Sequence, residues 1–117
     1  MKLRFRGNSL RLRVNQKEVE SLAEGLELAE KITFGGGATL SYVLAPVPEG
    51  TPSSVKFDGT TIRVSTVLRD WARGDEIGLY FYVEPGLKVS VEKDLECVDG
   101  GEDEKDPHAF PRKSATC

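Results

Sequence analysis

Four arginines near the head of the chain, Arg4, Arg6, Arg11 and Arg13, alternate with apolar residues, and Asn8 sits between the two pairs. Alternation places every second side chain on one face of a strand, so this spacing lines guanidinium groups along one surface. A guanidinium presents a planar fork of N–H donors that meets a phosphate or a guanine edge with two hydrogen bonds. The chemistry suggested is nucleic-acid binding through Arg4, Arg6, Asn8, Arg11 and Arg13. The plainer account is a solvated strand face. A net charge of -3 and a pI near 5.2 argue against general attraction to polyanions, so binding would have to come from a local patch.

The far end of the chain offers different groups. Cys97, Asp99, Glu102, Asp103, Glu104, Asp106 and His108 include both soft and oxygen metal ligands. One cysteine and one histidine at this separation match no standard zinc pattern, so no metal is expected. The acidic stretch reads as a solvated extension, or as a phosphate mimic that folds back on the arginines. Cys97 and Cys117 form no C-x-x-C pair and are expected as reduced thiols. The single histidine lies in this tail, so Ser–His and Cys–His nucleophile arrangements lack an ordered base. No spacing selects a carboxylate pair, and Gly35-Gly36-Gly37 lacks the Lys-Ser or Lys-Thr of a phosphate loop. No enzyme and no cofactor are expected.

The elements that position these residues come from a repeat. Residues 4–13 and 56–65 align at a constant offset of 52, with aromatic, Gly, aliphatic, Arg and aliphatic positions matching. In the first copy, Leu3 and Phe5 precede a Gly7-Asn8 turn, and Leu10, Leu12 and Val14 follow. Asn15 and Glu18 form a capping-box signal for a short helix, with Val19, Leu22, Ala23 and Leu26 at helical spacing and Gly25 placed just past its end. Two strands then flank Gly35-Gly36-Gly37, with Glu30 interrupting the apolar row. After a linker at 46–53, the second copy repeats the order. Val55 and Phe57, the Asp58-Gly59 turn, and Ile62 and Val64 come first. Thr66 is expected to cap a helix carrying Val67, Leu68, Trp71 and Ala72, stopped by Gly74. Strands through Leu79 and Val89 close the copy around Pro85-Gly86. Trp71 reads as core. Tyr80 and Tyr82 share one strand face and are expected to be covered.

The expected fold is therefore α+β: a small, mostly antiparallel, barrel-like β-rich domain of two ββαββ repeats (2–45 and 55–92) with two short helices and a pseudo-two-fold. This domain spans 1–94, and an acidic tail follows at 95–117. No apolar run reaches the ~20 residues needed to span a bilayer, and the start lacks a signal-peptide core. A cytoplasmic location without membrane contact is expected.

The run Gly59-Thr60-Thr61-Ile62-Arg63-Val64-Ser65-Thr66-Val67-Leu68-Arg69-Asp70-Trp71, with Gly74-Asp75-Glu76-Ile77 and Leu87-Lys88-Val89-Ser90-Val91, resembles the swapped-hairpin motif of AbrB-like transition-state regulators. Arg6-Gly7-Asn8-Ser9-Leu10-Arg11-Leu12-Arg13-Val14 is similar to the MazE antitoxin branch of that group. Asn15 and Thr66 stand where those families usually begin the helix with proline. The resemblance implies a one-chain pseudo-dimer and DNA contact through basic residues around Gly7-Asn8-Ser9. The whole chain also resembles a group of short uncharacterised bacterial proteins. It shares with them the Arg-Gly-Asn-Ser start, the Phe34-Gly35-Gly36-Gly37 turn, the run Glu92–Cys97, and an acidic tail with Phe110-Pro111. The expected function is a non-catalytic binding module for nucleic acid. The alternative is an antitoxin-like or other protein partner recognised through the tail or a sheet edge. The expected state is a monomeric pseudo-dimer or a weak homodimer.

Overall fold

A computed structural model describes residues 1–95. In chain order the elements are β1 (Lys2–Phe5), β2 (Ser9–Val14), α1 (Gln16–Ala23), β3 (Leu28–Thr33), β4 (Thr39–Pro46), β5 (Ser54–Phe57), β6 (Thr61–Thr66), α2 (Arg69–Arg73), β7 (Gly78–Val83) and β8 (Leu87–Lys93). The ββαββ order occurs twice, as the repeat predicts.

The halves exchange hairpins. One sheet has the order β1-β2-β8-β7 and the other β3-β4-β6-β5. Exchanging the two copies turns the first order into the second, so the pseudo-two-fold is present in the topology. The sheets depart from expectation in two ways. They are mixed: the four hairpin pairs are antiparallel as expected, but the central pairs β2–β8 and β4–β6 are parallel. A tight turn forces antiparallel pairing only within a hairpin, and these central strands come from different halves with no turn between them. Nor, among the described residues, do the strands close into a barrel. Each sheet keeps two edges, β1 and β7 in one and β3 and β5 in the other. Burial is achieved by facing apolar surfaces and the helices instead of by closure.

A single core joins both sheets and both helices. Leu10, Leu12, Val14, Val89 and Val91 come from the first sheet, and Leu44, Ile62 and Val64 from the second. Leu22 on α1 and Leu68, Trp71 and Ala72 around α2 complete it. Full burial of an aliphatic side chain of this size contributes about 1.5–3 kcal/mol, so the inward row of β2 and its partners anchors the outward row.

Local chemistry sets the ends of these elements. The capping box forms as the sequence predicts: Asn15 Oδ1 accepts from Glu18 N–H at 2.9 Å and Glu18 Oε1 accepts from Asn15 N–H at 2.9 Å. Gly25 takes φ +82° just past α1, and Leu26 N–H donates to Ser21 C=O at 3.0 Å, which closes the helix. Thr66 does not cap α2. It is the last residue of β6, buried, with its hydroxyl 2.7 Å from Ser53 Oγ, and the helix begins at Arg69. Glu30 interrupts the apolar row of β3 for a visible reason: with Glu18 it binds the α-amine of Met1, while Tyr42 donates to the Met1 carbonyl at 3.2 Å. Among the described residues, no helix is long and apolar enough to cross a membrane.

Candidate nucleic-acid interface

Because β2 alternates Leu10, Leu12 and Val14 inward, Ser9, Arg11 and Arg13 point away from the core. Register carries this outer face across all four strands of the first sheet. Arg4 lies opposite Arg11, Arg11 opposite Ser90, and Ser90 opposite Tyr80. The next row is Lys2, Arg13, Glu92 and Gly78, and a third contains Ser9, Lys88 and Tyr82. At about 4.8 Å between strands, the four-strand rows span roughly 15 Å.

Glu92 organises the middle of the face. It is only 9% exposed. Its Oε1 lies 3.4 Å from Arg13 Nε and 3.5 Å from Arg11 Nε, and its Oε2 accepts from the Tyr80 hydroxyl at 3.2 Å. Gly78 makes that last contact possible. A Cβ on Gly78 would stand 2.2 Å from the Tyr80 hydroxyl oxygen, so the ring lies back along its own strand over a residue without a side chain. Lys88 Nζ sits 5.9 Å from the centre of the Tyr80 ring, within cation–π range. Lys2 Nζ pairs with Asp94 at 2.9 Å.

Tyr80 and Tyr82 are not covered, contrary to expectation: they are 57% and 73% exposed. β7 is an edge strand, and the buried parts of both helices serve the opposite face. The face is thus basic and aromatic together.

The second sheet provides an internal comparison. Where the first has Arg4, Arg13, Lys88, Tyr80, Tyr82 and Glu92, the equivalent positions of the second hold Lys56, Ser65, Ser41, Ala29, Lys31 and Ala45. Arg63, the counterpart of Arg11, is engaged by Glu27 at 2.6 Å. The hydrogen bond from Arg63 holds the Glu27 carboxyl below the usual range. The scaffold has been duplicated, while the outer chemistry of the two sheets has diverged.

Of the five residues selected from sequence, the fold gathers Arg4, Arg11 and Arg13 on one surface. Arg6 and Asn8 lie in the β1–β2 turn at the end of that surface. Arg6 exchanges backbone hydrogen bonds with Ser9 at 3.2 and 3.1 Å, and the Asn8 carbonyl accepts from Lys88 N–H at 3.1 Å. Lys2, Lys88, Tyr80, Tyr82 and Glu92 were missed. The alternation of Tyr80 and Tyr82 was visible, but which strand they would adjoin was not. An open groove beside the start of α1 is lined by Val14, Asn15, Val19, Ala72, Lys93 and Leu95. Among the described residues, no three His, Cys, Asp or Glu side chains are grouped to hold a metal ion. Cys97, Asp99, Glu102, Asp103, Glu104, Asp106, His108 and Cys117 lie outside the described residues, as does any fold-back of the tail.

The profile of a family of unknown function, DUF7009, matches residues 1–114. The chain belongs to that family. No curated protein and no solved structure matches it. The likeness to AbrB and MazE proteins therefore rests on the short motifs and element order alone. The DUF7009 match runs past β8 and through the acidic stretch 99–106, so that stretch falls within the unit the family describes.

Proposed function

We propose that this DUF7009 chain is a non-catalytic module that binds single-stranded nucleic acid across the outer face of its first sheet. The observation that carries the reading is the coincidence of cations and exposed tyrosines on that one face, set against an equivalent face of the second sheet that keeps Lys31, Lys56 and Arg63 but has no tyrosine and no counterpart of Arg13 or Lys88. Lys2, Arg4, Arg11 and Lys88 supply phosphate contacts. Tyr80 and Tyr82 supply rings on which unpaired bases stack, an interaction worth about 1–3 kcal/mol per base. Duplex bases are already stacked on each other and leave such rings unused, so single strands should be preferred. Glu92 holds Arg11 and Arg13 on the same face and accepts from the Tyr80 hydroxyl.

Anisotropy of labelled oligonucleotides tests this. A single strand should bind more tightly than the matching duplex at low salt. Log affinity should fall by about 0.7 per log unit of salt for each phosphate neutralised. Arg4→Ala and Arg11→Ala should each flatten that slope, Tyr82→Ala should weaken binding without changing it, and Lys56→Ala on the second sheet should do neither. Equal effects of the variants on the two sheets overturn the reading. So does an absence of binding at low salt, whether or not the acids at 99–106 are neutralised.

A further inference from the structure

The outward row of β8 continues into acid. Lys88, Ser90, Glu92 and Asp94 face outward in succession, and the last two already contact cations of this face: Glu92 meets Arg11 and Arg13, and Asp94 meets Lys2. The backbone at Asp94 still runs beside β2, with its N–H donating to Val14 C=O at 2.8 Å. The chain therefore leaves the sheet at the edge of the basic face. The stretch that follows carries Asp99, Glu102, Asp103, Glu104 and Asp106 against Lys105 alone. An extended chain covers up to about 3.3–3.6 Å per residue, so the chain between Asp94 and Asp106 is long enough to span the length of β8. The family match includes them.

We propose that the acidic segment 99–106 docks on the outer face of the first sheet and covers the cations offered to nucleic acid. The docking stands on charge complementarity and on the point where the chain leaves the sheet; its role as a mask rests on the nucleic-acid reading above. Carboxylates at this spacing present the face with a row of anions, as a phosphate backbone does. Nucleic acid and the segment then compete for the same cations, which weakens the binding of non-specific polyanions most.

Two measurements on the full chain separate this from the reading it rests on. Zero-length carbodiimide cross-linking joins a lysine amine to a carboxylate in contact with it. At low salt Lys88 should be joined to acids within 99–106. Lys2–Asp94 serves as the positive control, and Lys31 and Lys56 of the second sheet as negative ones. High salt should abolish the Lys88 product. The second measurement replaces the five acids together (Asp99→Asn, Glu102→Gln, Asp103→Asn, Glu104→Gln, Asp106→Asn) and reads single-strand affinity. A rise of roughly fivefold is expected, since five exposed pairs at the weak end of the usual range sum to that factor. Lys88 cross-links no stronger than those of Lys31 and Lys56 overturn the docking, whatever the oligonucleotide does. Equal affinity of the two chains overturns the masking. A salt-sensitive Lys88 product with no oligonucleotide bound by either chain upholds the docking and removes the nucleic-acid reading instead.

Discussion

Glu92 is a buried acid beneath a cationic surface, and its neighbours account for its presence. Arg11 and Arg13 project from one strand on the same side, and Glu92 lies between them on the next strand. Glu92→Gln leaves an acceptor but removes the charge that offsets two guanidinium groups. The expected loss is about 1–3 kcal/mol, the scale of a charged hydrogen bond left without its counter-charge, read by denaturant unfolding. Gly78→Ala acts on the same cluster differently. It drives the Tyr80 ring away from Glu92 while leaving the core untouched, because the clashing atoms are the far end of a side chain that can swing outward. The Tyr80 ring signals should shift in an NMR spectrum, with the rest of the sheet unchanged. A third residue-scale expectation concerns pH. Burial pushes the Met1 amine down, but the hydrogen bonds it donates to Glu18 and Glu30, with the charges of those carboxylates, outweigh it and hold the group above its ordinary value of 8.0. A folded-state value raised in this way gives stability that is fully present below the unfolded value of about 8 and is lost as pH rises through the folded one. Thermal midpoints should fall on the alkaline side, and Glu30→Gln should flatten that fall. Glu30 is the cleaner site, since Glu18 also serves the capping box.

At the scale of elements, the two helices show what a local signal can specify. α1 is fixed by chemistry inside a few residues, Asn15 with Glu18 at one end and Gly25 at the other, and all three were readable from spacing. Asn15→Ala should cost about 1 kcal/mol, while Leu22→Ala, at the one fully buried position of α1, should cost about 2–5 kcal/mol in the same unfolding measurement. α2 was misplaced because Thr66 had two possible roles. A threonine can cap a helix, but here its backbone is paired with Pro46 of β4 and its hydroxyl faces Ser53, so the strand takes it. The hairpins were legible, each carrying its own turn residues between alternating runs. The parallel pairs were not. β2 and β8 are brought together by the whole fold, and no residue in either strand encodes that neighbour. The candidate face was therefore half visible: its arginines lie on a continuous alternating stretch, while Lys88, Glu92, Tyr80 and Tyr82 join them only through that parallel pairing.

At the scale of the molecule, hairpin exchange means that neither copy can build a sheet of the native order by itself. A fragment of residues 1–50 holds β1 to β4, and a fragment of residues 51–117 holds β5 to β8. Each alone lacks the partners of both central strands and the other copy's share of the core. Breaking the chain between residues 50 and 51 removes only a connection, whose closure entropy grows slowly with length, and makes stability depend on concentration. Mixed fragments should therefore recover the circular dichroism of the intact chain and the burial of Trp71, and separated ones should not. A fragment that folds alone with native strand order refutes the exchange. The repeat also permits a competing product, since two first fragments could pair as the two copies do. The face disfavours it. Arg13 lies opposite Glu92 in the intact chain, but the equivalent of Glu92 in the first copy is Ala45. A homodimer of first fragments would set Arg11 and Arg13 on each sheet without a carboxylate between them. Native mass spectrometry of the mixture should show the one-to-one complex in excess over either homodimer, and Glu92→Ala in the second fragment should erode that excess. The acid that organises the candidate site would then also be what makes the two copies prefer each other to themselves.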